Sequence, residues 1–112
     1  MELNQAVKSL AALAQEHRLA IFKLLIQAGP EGKAAGQVSE ELGISSSSLS
    51  FHMKELTHAG LVTSRNEGRY VIYSALIQSM NELMAYLAEN CCGGNPCSPV
   101  AAVAFKIKAE SI

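Results

Sequence analysis

The stretch from Val38 to Leu56 constrains the fold more than any other part of the chain. Val38 and Leu42 fall on one face of a short helix. Gly43 follows, where a helix must stop and the backbone is free to take positive φ. Ile44 then packs back into the corner. Ser45-Ser46-Ser47-Ser48 opens a second helix, serine being a strong N-cap because its hydroxyl accepts a bond from an otherwise orphan helix N–H. Leu49, Met53 and Leu56 repeat at i, i+4, i+7, which makes one buried stripe. Two helices around one tight turn form a helix-turn-helix, whose second helix can lie in a DNA major groove. Ser46, Ser47, Ser50, Phe51 and Lys54 point away from the stripe, and His52 lies at its edge. Small hydroxyls at a helix N-terminus approach phosphates and base edges closely. An ordinary surface helix with a serine-rich start has the same pattern, so the helix pair alone does not decide.

The next residues favour the DNA reading. Leu61-Val62-Thr63-Ser64 is short and β-branched, Asn66-Glu67-Gly68 is a turn signal, and Arg69-Tyr70-Val71-Ile72-Tyr73 alternates as a strand. A helix-turn-helix followed by a hairpin is a winged helix-turn-helix: mainly α, with a small β-hairpin wing. Arg65 and Arg69 flank the turn, which places positive charge where a duplex backbone would pass.

Composition sets the bounds. At 112 residues one core is the natural count. With 49% apolar and 5% aromatic residues, the chain has enough for a core and leans helical. A domain this small buries a modest fraction of its surface, so oligomerisation would help it. No apolar run reaches the eighteen or so residues of a membrane span. The first residues lack a secretory pattern. A cytoplasmic protein with reduced thiols and no membrane partner is therefore expected. The net charge of −1 counts against a strongly basic nucleic-acid binder. From Ser45 to Ala75, Lys54, Arg65 and Arg69 stand against Glu55 and Glu67, so operator affinity should rest on few cationic contacts and on backbone N–H groups.

Leu3, Val7, Leu10 and Ala14 mark a first amphipathic helix. A second runs from about Glu16 to Gln27, with Leu19, Phe22 and Ile26 as its core stripe, widened by Ile21, Leu24 and Leu25. His17 and Arg18 in its first turn read as a solvated or capping pair, a phosphate contact being the other option. Gly29-Pro30-Glu31-Gly32 is a loop. After the wing, Leu76, Met80, Leu83 and Leu87 form one helical stripe, and Ile77, Met84 and Ala88 a second beside it. One stripe covers the parent domain and the other calls for a second copy of the chain, Met being suited to an adaptable interface. Residues 100–112 carry both strand and helix signals. The expected division is 1–90 for DNA binding and dimerisation, and 91–112 for a cysteine-containing tail.

Cys91, Cys92 and Cys97 are the only cysteines. Adjacent helical residues point about 100° apart, so Cys91 and Cys92 share a ligand only if the helix breaks near them. Asn90 and Gly93-Gly94 can end the helix, and Pro96 stiffens the return that brings Cys97 back. Soft thiolates choose soft acceptors. Structural zinc usually takes four ligands, whereas His17, His52 and His58 are all remote in sequence. Trivalent arsenic or antimony needs three sulfurs, because its lone pair fills the fourth direction. Three thiolates also neutralise a trivalent centre, and a helix C-terminus disfavours surplus negative charge. A redox switch, a zinc, cadmium or lead site completed by a partner chain, a disulfide and inert cysteines remain open. A thiol enzyme such as an arsenate reductase needs a thiolate activated by a cation or an oxyanion loop. The nearest basic residue in sequence is Lys106 and no such loop is visible, so enzymatic activity is not expected. A winged helix that binds protein in place of DNA is a third class.

The run Gly43-Ile44-Ser45-Ser46-Ser47-Ser48-Leu49-Ser50-Phe51-His52-Met53-Lys54-Glu55-Leu56, with Ala59-Gly60-Leu61-Val62 and Glu67-Gly68-Arg69-Tyr70, resembles the ArsR/SmtB family of metal-sensing repressors. The resemblance spans about Leu10 to Leu87. It implies a homodimer, built through the first and last helices, that binds a double-stranded inverted-repeat operator and leaves it when a metal or metalloid binds. It places recognition-helix positions on Ser46, Ser47, Ser48, Ser50 and His52, beside the outward Lys54, and the wing position on Arg69. The chain departs from the family's familiar arsenic sensors, because Ala34-Ala35-Gly36-Gln37-Val38 holds no thiol where they carry a cysteine pair. It departs from the zinc sensors as well, since its last helix offers only Asn81, Glu82 and Glu89. Cys91, Cys92 and Cys97 resemble the C-terminal arsenite site of some arsenic-responsive members. The expectation is a repressor induced by arsenite and by antimonite.

Overall fold

A computed structural model describes residues 1–94. Five helices and a three-stranded antiparallel sheet form a winged helix-turn-helix. The first two helices, α1 (Leu3–Leu13) and α2 (Glu16–Ala28), meet at a tight corner. The Arg18 Nε donates to the Ala12 carbonyl oxygen at 2.6 Å and so closes the end of α1. The Gln15 side chain accepts from the Arg18 backbone N–H at 3.0 Å and caps α2. Arg18 is thus a capping residue, one of the two roles its position suggests.

The helix-turn-helix is α3 (Ala35–Leu42) and α4 (Ser46–His58). Gly43 sits in the left-handed region at φ 64°, ψ 35°, the conformation that terminates a helix with least steric cost for a residue lacking Cβ. Ser45 accepts from the Ser48 backbone N–H at 3.3 Å. Leu49, Met53 and Leu56 are buried, and with Val38, Ile44, Ile21, Phe22 and Leu25 they make the core. On α2 the core side is Ile21, Phe22 and Leu25, whereas Leu19 is exposed. The stripe expected through Leu19 is therefore rotated by part of a turn.

The wing is β2 (Val62–Glu67) and β3 (Tyr70–Ala75), joined by Gly68-Arg69. Gly68 takes φ +61°, and the Glu67–Tyr70 pair closes the hairpin. The turn therefore falls later than the Asn66-Glu67-Gly68 signal suggests, because a two-residue hairpin loop needs positive φ at its first position and Gly68 supplies it. A two-residue strand, β1 (Lys33–Ala34), adds to the free edge of β3. Gly32, at φ +71°, passes so close to β3 that a Cβ there would run into the Tyr73 carbonyl oxygen and the Ser74 hydroxyl. Ser74 Oγ donates to the Pro30 carbonyl oxygen at 3.2 Å. The base of the wing is thereby fastened to the segment that leads into α3.

The last helix, α5 (Ile77–Ala88), begins where the Leu76 backbone N–H donates to the Leu61 carbonyl oxygen and the Ser79 hydroxyl to that of Gly60. Leu83 is buried and Met80 packs on the core, while Leu76, Ile77 and Leu87 are exposed. On α1 the small residues Ala6, Ser9 and Ala12 face inward. Its large apolar side chains face out, with Leu3, Val7 and Leu10 at 68%, 56% and 42% exposure. Two helices thus turn apolar stripes away from their own subunit. Among the described residues no helix is long and apolar enough to cross a membrane.

Candidate nucleic-acid interface and thiol segment

α4 presents its polar side to solvent. Ser46, Ser47, Ser48, Ser50 and Lys54 are all exposed, as their spacing from the Leu49–Met53–Leu56 stripe requires. The N-terminus of α4 adds backbone N–H groups to these hydroxyls and to one cation, an arrangement suited to phosphate oxygens and base edges. Arg69 is exposed in the wing turn.

Two basic or titratable residues are placed otherwise than expected. His52, expected at the edge of the buried stripe and placed among the recognition positions by the family resemblance, is 8% exposed and faces inward. Its spacing explains this: three residues after Leu49 and four before Leu56, it joins their stripe once a neighbour covers that flank. The neighbour is His17 of α2, whose ring meets that of His52 edge-on at 5.4 Å. Burial lowers the His52 pKa from 6.5, and Arg18 and His17 lower it further because their positive charge opposes a second one. Its Nδ1 is buried without a hydrogen-bond partner. Arg65 does not serve the wing tip as free charge. Its Nε donates to Glu67 Oε2 at 2.9 Å and its Nη2 to the Glu31 carbonyl oxygen at 2.8 Å. Its Nη1 reaches Ser74 Oγ at 3.3 Å. Arg65 is thus engaged with Glu67, Glu31 and Ser74, whereas Arg69 lies exposed in the turn.

The spacing argument also names a residue that family positions pass over. Phe51 is 57% exposed on the outward side of α4, between Ser47 and Lys54 in helical phase. Its outward direction is legible from the stripe.

Past α5 the chain leaves helical geometry at once. Asn90 and Cys92 take φ 57° and 54°, and Gly93 φ 69°, so Asn90 and Gly93 end the helix as their residue types suggest. Cys91 is half-buried and Cys92 exposed, both beyond the last turn of α5. Cys97, Pro96 and residues 100–112 lie outside the described residues. Among those described, no group of three His, Cys, Asp or Glu side chains could hold a metal ion.

A capped recognition helix, a hairpin wing beside it and a serine-rich outward face define a winged-helix DNA-binding protein. A family profile described as a helix-turn-helix domain matches residues 13–65. The HTH-type transcriptional regulator YgaV of Escherichia coli is 30% identical over 89 residues, covering 80% of this chain and 88% of that protein. The putative arsenical resistance operon repressor ArsR of Halobacterium salinarum is 36% identical, covering 74% of this chain and 64% of that protein. The solved structure of HlyU from Vibrio cholerae matches with a TM-score of 0.62 at 36% identity, covering 78% of this chain and 97% of that one. The chain belongs to the ArsR/SmtB-type family of winged-helix transcriptional regulators. Its relatives are regulators and not enzymes.

Proposed function

We propose that the chain is a cytoplasmic homodimeric repressor that holds an inverted-repeat operator and releases it when trivalent arsenic, or antimony, is bound by Cys91, Cys92 and Cys97. The observation that carries this reading is the abrupt left-handed turn after α5, which takes Cys91 and Cys92 off the helix at the end of an element whose Ile77 and Leu87 are exposed. Off the helix, neighbouring cysteines are no longer held about 100° apart. The donor set fits the ligand: three soft sulfurs leave a trivalent centre neutral, and its lone pair needs no fourth ligand. Closing three sulfurs around one atom draws the tail against the end of α5 and alters how the two subunits are set. Half-sites one helical turn apart demand a spacing near 34 Å between recognition helices, so a small change weakens both contacts together.

A second reading has its own support. Cys97 follows Cys92 by five residues, close enough in sequence to pair with it, and one solved relative, reduced HlyU from Vibrio cholerae, is 31% identical. In this reading two thiols lose two electrons and two protons to an oxidant such as a peroxide, and the disulfide takes the place of the metalloid. One experiment separates the two. The protein–operator complex is held in a phosphine reductant without oxygen and titrated with arsenite, antimonite, cadmium, zinc and, after removing the reductant, peroxide. Release by arsenite in reductant, abolished in Cys97→Ser with DNA affinity unchanged, is the expected result. Release by peroxide alone replaces the metalloid with the redox trigger, and an unaltered arsenite response in Cys97→Ser removes Cys97 from the site.

A further inference from the structure

The outward face of α4 lacks the side chains that usually identify bases. Between Ser46 and His58 there is no arginine, asparagine or glutamine, so no side chain there can grip adenine with a bidentate pair, and Lys54 alone could reach both guanine acceptors. Serine hydroxyls contact any base and phosphate, and Lys54 is a point charge that serves phosphate as well as guanine. What remains is one large apolar group. Phe51 is 57% exposed, at the centre of the face that also carries Ser47 and Lys54. Its ring is braced by the buried His52, with centroids 5.6 Å apart and planes at 64°. An exposed phenylalanine on a water-facing helix gains nothing in the free protein. In a major groove the apolar feature that marks one base is the C5-methyl group of thymine.

The geometry points to Phe51 as the specificity-determining residue of this regulator, reading thymine by contact of its ring with the C5-methyl group. The inference rests on the DNA-binding reading and adds what is read and by which residue. It does not depend on the thiols. Because Phe51 precedes no cap and fills no core space, its replacement leaves the fold intact.

The test uses the full chain and a duplex enriched from a random-sequence pool by the wild-type protein. Each thymine is replaced in turn by uracil, which keeps every hydrogen-bonding group and lacks the methyl. At one thymine per half-site, uracil is expected to weaken wild-type binding about fourfold, the scale of one buried methyl group, and roughly tenfold or more when both half-sites are changed. Phe51→Ala is expected to lose a similar factor on the thymine duplex and to bind the uracil duplex equally well. Phe51→Leu should keep part of the difference. Wild-type binding indifferent to uracil at every position, or a uracil penalty that persists undiminished in Phe51→Ala, would overturn the assignment while leaving DNA binding in place. Failure to enrich any duplex, with no salt-dependent affinity for DNA, would sink both the assignment and the reading beneath it.

Discussion

His52 illustrates how one side chain ties the recognition helix to the rest of the subunit. It is on the element that meets DNA, yet it is spent inward, against His17 and near Arg18. Its folded pKa lies below the unfolded value of 6.5, so as pH falls below about 6.5 the unfolded chain takes up the proton first. Stability is then complete above that pH and lost as pH falls through the lowered folded value. Thermal melts of wild type between pH 7.5 and 5 should therefore show a falling midpoint, with a shallower fall in His52→Gln. Equal slopes would mean that His52 is not the group responsible. The spacing from Leu49 and Leu56 was enough to place His52 beside the buried stripe. What covered that flank was not legible, because His17 is 35 positions away and nothing in the local pattern announces it. Arg65 is engaged in part by distant groups, Glu31 and Ser74, that no local pattern announces, and in part by Glu67 two residues on, whose pairing strand geometry on one face allows.

The helix-turn-helix was the most legible element, since each part of its signature is local. Gly43 needs the left-handed region, Ser45 needs an orphan N–H three residues on, and the stripe has a helical period. Ser45→Ala is expected to cost about 1 kcal/mol of unfolding free energy in urea titrations. Ser47→Ala, on the outward face, should stay within roughly 0.5 kcal/mol of wild type. A reversal of that order would remove Ser45 from the cap. α1 was legible as a helix but not in its polarity. Periodicity finds a stripe and says nothing of which neighbour covers it; here the large residues Leu3, Val7 and Leu10 face out and the small Ala6, Ser9 and Ala12 face in. β1 carries no signal of its own. Two residues make no alternation, and its partner β3 lies some forty positions downstream.

The exposed stripes of α1 and α5 bear on assembly. Placing two glutamates in the first of them, as Val7→Glu with Leu10→Glu, should leave the subunit folded, because neither side chain belongs to its core. It should also halve the sedimenting mass. Loss of the second half-site contact is then expected to lower affinity for an inverted-repeat duplex by about a hundredfold or more, the usual gain from tying two modest contacts together. A variant that remains dimeric would place the subunit contact elsewhere.

The stitching at the base of the wing limits how any such regulator can let go. β3 is paired on one side with β2 and on the other with β1, Gly32 lies against the Tyr73 carbonyl, and Arg65 reaches Glu31. The hairpin is therefore fastened at several points to the segment that leads into the helix-turn-helix. A grip built this way cannot be eased by peeling one finger from the duplex. If two such subunits clamp a duplex as proposed, each must swing as a solid piece, and the joint between them is where a bound metalloid would have leverage.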